Sequence, residues 1–177
     1  MKKKATNKNI YIVFSQTNTL LARIIRFITK NEYSHVSISF DEKCRTMYSF
    51  GRKYVNNPFY GVFKIENIND GIFKKTNAKV AIYEVEVSEE KYENIKKNIK
   101  EVEKNNKGYN IFGLILAIFD YRIARKKYYC SEFIYNVLSD DNVKIIKKTD
   151  KSIRPQYIKD NIENSKLIYT GRVNNYS

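Results

Sequence analysis

Short, densely apolar runs alternate along the chain with longer segments of helical period, and this spacing predicts its elements. Ile10-Tyr11-Ile12-Val13-Phe14 is apolar throughout, the pattern of a short strand too hydrophobic to face solvent. Leu20, Leu21, Ile24, Ile25 and Ile28 then recur at helical spacing, with Arg23, Arg26 and Lys30 opposite and N-cap hydroxyls between Ser15 and Thr19. From His35 to Phe40 the period changes to two. Val36, Ile38 and Phe40 fall on one face of a strand, and His35, Ser37 and Ser39 on the other, where small hydroxyl residues are expected to leave room for a thiol and a substrate. The polar run Asp41 to Arg45 reads as a turn, and Thr46 to Phe50 as the returning strand. A hairpin centred near Glu42 or Lys43 brings Ser49 to the face of His35, whereas a one-residue slip brings Tyr48 and Phe50 there.

Gly51 to Ile72, with Asn56-Asn57-Pro58, reads as a loop-rich excursion and a groove wall. Lys79 to Val87 is a further strand. Ser88 is placed to cap a helix that has Glu89 and Glu90 in its first turn and Tyr92, Ile95, Ile99 and Val102 on one face. Beyond Gly108, Tyr109 to Phe119 reads as a buried helix, and Arg122 to Lys127 as a basic connector. A helix from Cys130 turns Phe133, Ile134, Val137 and Leu138 inward. Pro155 opens a short helix, and Leu167 to Thr170 forms a last strand. The pattern is α+β, with no internal repeat and no linker composition. It predicts a flexible basic tail over residues 1–9 and a single domain over 10–177.

Composition narrows this picture. A chain of 177 residues with 42% hydrophobic and 14% aromatic content can bury a real core. No apolar run approaches a membrane span of about 20 residues. Met1-Lys2-Lys3-Lys4 is followed by too short an apolar stretch for a signal peptide, so a cytoplasmic protein is expected. The formal charge of +14 is spread among many Asn and Ile residues, the bias of a Lys/Asn/Ile-rich proteome. It comes with no recognition motif, so no specific nucleic-acid partner is expected. Weak attraction to an anionic membrane or wall polymer is consistent with it. Oligomeric state has no signature here.

Candidate chemistry gathers on two residues. His35 is the only histidine, so it is the only imidazole available as a base. Cys130 begins a helix whose unpaired N–H groups and partial positive charge stabilise a thiolate and suit an oxyanion. Cys44, in its polar turn, is a different kind of cysteine, and two cysteines make no disulfide framework. The orienting partner of the ring is Ser49 by the hairpin argument, or Tyr48 if the register slips. One histidine and two distant cysteines give no zinc spacing, and no metal or cofactor is expected.

Tyr33-Ser34-His35-Val36-Ser37-Ile38 on a strand and Tyr129-Cys130-Ser131-Glu132-Phe133 opening a helix resemble the circularly permuted branch of the NlpC-like, papain-fold cysteine hydrolases, the YiiX/YaeF-like group. In unpermuted members the cysteine helix precedes the histidine strand. Here His35 precedes Cys130, and the resemblance covers Ile10 to about Tyr169. It implies a papain-like core, an antiparallel sheet packed against helices, with Cys130 facing His35. It also implies cleavage of a peptide, amide or acyl ester through an acyl-enzyme, with Cys130 as nucleophile and His35 as base. The third polar residue of the family, often His, Asn, Gln or Glu on the strand after the histidine, is matched in that region only by Ser49 or Tyr48. An acyltransferase would differ only in using an alcohol or amine in place of water. The competing expectation is a non-catalytic binding module of the same fold that recognises an anionic polymer or membrane surface.

Overall fold

A computed structural model describes residues 7–17, 23, 27, 31–54, 57–105, 109–110, 130–149 and 153–176. Seven strands build one sheet: β1 (Asn7–Gln16), β2 (His35–Ser39), β3 (Met47–Tyr54), β4 (Asn57–Glu66), β5 (Lys79–Ser88), β6 (Tyr109–Asn110) and β7 (Ser165–Arg172). Their order is β6-β4-β3-β2-β1-β5-β7, and every neighbouring pair is antiparallel. Among the described residues four α-helices accompany them: α1 (Gly71–Lys75), α2 (Glu89–Asn105), α3 (Cys130–Ser139) and α4 (Pro155–Asn161). The architecture is α+β, an antiparallel sheet packed against helices, with the histidine strand ahead of the cysteine helix. Among the described residues no helix is long and apolar enough to cross a membrane.

The apolar run Ile10–Phe14 lies on β1 between β2 and β5, and both its faces are buried. Its even positions Ile10, Ile12 and Phe14 join Val36, Ile38 and Phe50 under α2 and α3. Ile95 and Ile99 come from α2; Phe133, Ile134, Val137 and Leu138 come from α3. Phe133 sits 5.3 Å from the ring of Phe50 and 5.8 Å from that of Phe63, so the cysteine helix is anchored by an aromatic cluster. Tyr11 and Val13 face the other way. With Met47, Val80 and Ile82 they pack against Cys44, Ile68, Phe73 and Val173.

Local signals hold where chemistry rather than pairing decides. The Ser88 hydroxyl accepts the Lys91 N–H at 3.3 Å at the start of α2, and Pro155 is the first residue of α4. Ser39 opposite Met47 centres the β2–β3 turn on Lys43, which keeps Ser49 on the His35 face.

Several boundaries differ from expectation. Asn7–Asn9, assigned to the tail, pair with Ser88–Glu86 as the start of β1. The excursion after Gly51 is largely strand: β3 runs on to Tyr54, and β4 pairs back along it from Asn57 to Glu66. Pairing with a neighbour satisfies this backbone and overrides the turn-forming Asn and Pro residues; Pro58 sits near the strand's start, where a missing N–H is tolerated. Tyr109 and Asn110, expected to begin a helix, pair with Gly61 and Tyr60 as β6. The remainder of that expected helix, the basic connector and most of the Leu20–Ile28 helix lie outside the described residues.

Candidate active site

His35 begins β2, and its neighbour across the sheet is the Gln16 end of β1, where Ser15 pairs with it. Cys130 begins α3. The fully buried Val36 and Ile134 lie in the same core cluster, which brings the start of α3 to the His35 end of β2. There the Cys130 thiol and the His35 ring are hydrogen-bonded to each other. The sulfur also accepts the backbone N–H groups of Val36 and Ser131. The Ser131 hydroxyl donates to the Ile153 carbonyl at 2.9 Å and ties the helix start to the segment before α4.

The far side of the ring meets Glu66, the last residue of β4. His35 Nε2 lies 3.0 Å from Glu66 Oε2, with the side chains 19% and 10% exposed. Nε2 is thus the nitrogen turned to the carboxylate, which leaves Nδ1 for the thiol. Ser49 Oγ donates to the same Glu66 oxygen at 2.6 Å. The order across the site is Cys130, His35, Glu66, Ser49. Sequence reasoning paired Ser49 with the ring directly; the register keeps it on that face, but Glu66 stands between them. Tyr48 points into the opposite, apolar cluster.

Glu66 was missed because β4 reads as loop in sequence. The signal available was the single carboxylate that ends the Phe63-Lys64-Ile65-Glu66 alternation. The serine stripe, expected to leave room for substrate, is closed instead. Ser37, Ser39 and Ser49 are fully buried, Ser39 donates to the Asp41 and Thr46 carbonyls, and Ser37 reaches the Met47 sulfur at 3.8 Å. Phe73 of α1 lies over this side, its ring centre 6.4 Å from that of His35.

The electrostatics follow from this order. Burial alone would lower the pKa of His35, but the Glu66 carboxylate and the Cys130 sulfur outweigh it and push it up to about 10. Burial works against the Cys130 thiolate too. The imidazolium charge and hydrogen bond, with the two backbone N–H groups, more than offset it and hold the thiol below its ordinary value. Glu66 is likewise held below the usual carboxylate range: His35, the Ser49 hydroxyl and Lys64 together overcome its burial. The arrangement favours a thiolate–imidazolium pair backed by a carboxylate. Among the described residues no group of three or more His, Cys, Asp or Glu side chains is arranged to hold a metal ion.

Fold and site together define an α+β protein with a cysteine at a helix start, a histidine on a strand and a carboxylate on a nearby strand of the same sheet. No protein-family model and no curated protein matches the chain. Among solved structures it is similar to the metalloprotein YiiX of Escherichia coli O157:H7, at 14% identity and a TM-score of 0.55. The match covers 93% of this chain and 98% of that one. At this identity the likeness is one of fold: the chain has a YiiX-like α+β fold.

Proposed function

We propose that the protein is a thiol hydrolase that cleaves an amide or ester bond through an acyl-enzyme, in the circularly permuted NlpC-like arrangement. One observation carries the reading: the cysteine at the start of α3 is hydrogen-bonded to the only histidine, whose other nitrogen faces a nearly buried carboxylate. Such a pair supplies a nucleophile at neutral pH without a separate deprotonation step.

The Cys130 thiolate attacks the substrate carbonyl carbon, and the resulting oxyanion is met by backbone N–H groups of the first turn of α3. His35, already protonated, gives its Nδ1 proton to the departing amine or alkoxide as the carbon–heteroatom bond breaks. Neutral His35 then takes a proton from water, the hydroxide attacks the thioester, and the Cys130 thiolate leaves. Glu66 stabilises the imidazolium and fixes the ring's orientation throughout. An alcohol or amine in place of water would make the same site an acyltransferase. The chemistry needs a free thiol at Cys130, so a reducing compartment suits it.

An activated aryl acyl ester tests this reading. Intact-mass analysis after brief mixing should show one acyl group on wild-type protein, mapped to Cys130, and none on Cys130→Ala. An unacylated Cys130 that also alkylates at the rate of an ordinary thiol would sink the proposal and leave a binding module.

A further inference from the structure

The proposed reaction uses Cys130, His35 and Glu66 but assigns nothing to Ser49, although Ser49 is fully buried beside them. We infer that Ser49 is a positioning residue: its hydroxyl holds one oxygen of Glu66 against the His35 ring and so keeps that ring paired with the Cys130 sulfur. The inference rests on the Cys130–His35 reading above.

Both contacts fall on a single atom. Glu66 Oε2 accepts from Ser49 Oγ at 2.6 Å and meets His35 Nε2 at 3.0 Å. Glu66 sits opposite Met47 in the β3–β4 ladder, and Ser49 sits opposite Lys64. The carboxylate therefore reaches diagonally along the sheet before it meets the ring. A glutamate side chain has three rotatable bonds, and a diagonal reach of this kind needs a second anchor to stay in one rotamer.

Gly51 leaves room for no more than close contact beside the carboxylate: a Cβ there would stand 3.4 Å from Lys64 Cδ, 3.5 Å from Glu66 Oε1 and 4.0 Å from His35 Cε1, ordinary contact distances. The charged and titratable groups facing Glu66 are His35 from β2, Lys64 on β4 itself and, through the ring, Cys130 from α3. Attraction to Lys64 has no preferred direction that would aim an oxygen at Nε2. The Ser49 hydroxyl has one. It is a directed donor to that oxygen, so it aims the carboxylate at the ring.

The test is the pH dependence of iodoacetamide labelling at Cys130 in the wild type, Ser49→Ala, Glu66→Gln and the double variant, with Tm followed in each. Ser49→Ala should move the labelling midpoint up by about 1 pH unit, a roughly tenfold slower reaction on the acid limb. Glu66→Gln should move it further in the same direction, and Ser49→Ala should add nothing in the Glu66→Gln background. A Ser49→Ala profile that overlays the wild type, whatever its Tm, would overturn the inference. So would a Ser49 shift that persists in full when Glu66 is already Gln. A wild-type midpoint at the ordinary cysteine value is a different outcome: it would remove the activated pair itself, and this inference with it.

Discussion

Cys44 and Cys130 are the two cysteines of the chain, both free, and their surroundings push them in opposite directions. Cys44 sits in the β2–β3 turn with φ of +50° and is fully buried in the second cluster. Burial pushes its thiol up to about 12, and the carboxylates of Asp41 and Glu42 add to the effect. Its sulfur donates toward the Glu42 carbonyl at 3.5 Å, and the Tyr176 hydroxyl donates to that same carbonyl. Cys130 is partly exposed and is also penalised by its surroundings, yet its thiol is lowered. What differs is the sign of the neighbouring charge and the presence of directed N–H donors. Burial by itself raises a thiol's pKa; burial next to an imidazolium can lower it.

Removing the imidazolium should erase this contrast. His35→Ala is expected to slow Cys130 alkylation at neutral pH toward the rate of an ordinary thiol, because the imidazolium that holds the thiol below its usual value is gone. Peptide mapping after competitive labelling reads this directly, and a Cys130 rate unchanged in the variant would show that the helix start alone activates the thiol.

A smaller effect is expected from Glu66→Gln, which keeps the shape and removes the charge. The raised His35 pKa should fall by about 1–3 units from its value near 10. The sign is worked out from the ion pair, which exists above the thiol's lowered pKa and below the imidazolium's raised one. Turnover in the wild type should therefore rise as Cys130 deprotonates and fall near pH 10, whereas alkylation, which needs only thiolate, should stay high. In Glu66→Gln the basic limb should move to lower pH and the acid limb to higher pH, narrowing the profile from both sides. A basic limb left at its wild-type position would separate Glu66 from the ring's proton affinity.

The smallest change belongs to the other cysteine. Cys44→Ala should cost about 1 kcal/mol of stability, through lost packing in the second cluster, and leave the Cys130 labelling rate unaltered. Denaturant unfolding and labelling of the same sample give both numbers. A slower Cys130 in that variant would mean that the two sides of the sheet are coupled.

Half of this contrast could be read along the chain. Cys130 stands directly before Ser131-Glu132-Phe133-Ile134, where helical period begins, and His35 opens a clean alternation. Both are statements about near neighbours. The carboxylate was not legible in that way. Glu66 reaches His35 only because β4 returns along β3, and β4 carries Asn57, Pro58 and Gly61, residues whose local preferences favour turns. Its pairing energy comes from β3, and single-residue preferences do not register that pairing. The serines misled for a related reason. A stripe of small hydroxyls looks like open space in sequence, but its free volume depends on what crosses above it, and here Ile68, Phe73 and Val173 do.

By itself the sequence determined the two candidate residues, the elements that carry them and the face on which Ser49 lies. These rest on period, caps and turn length, interactions between residues a few positions apart. Only the tertiary structure decided that Cys130 meets His35, that Glu66 rather than Ser49 meets the other side of the ring, and that Cys44 is sealed. Those outcomes depend on sheet register and layer packing, which bring together residues dozens of positions apart and set the charges around each thiol.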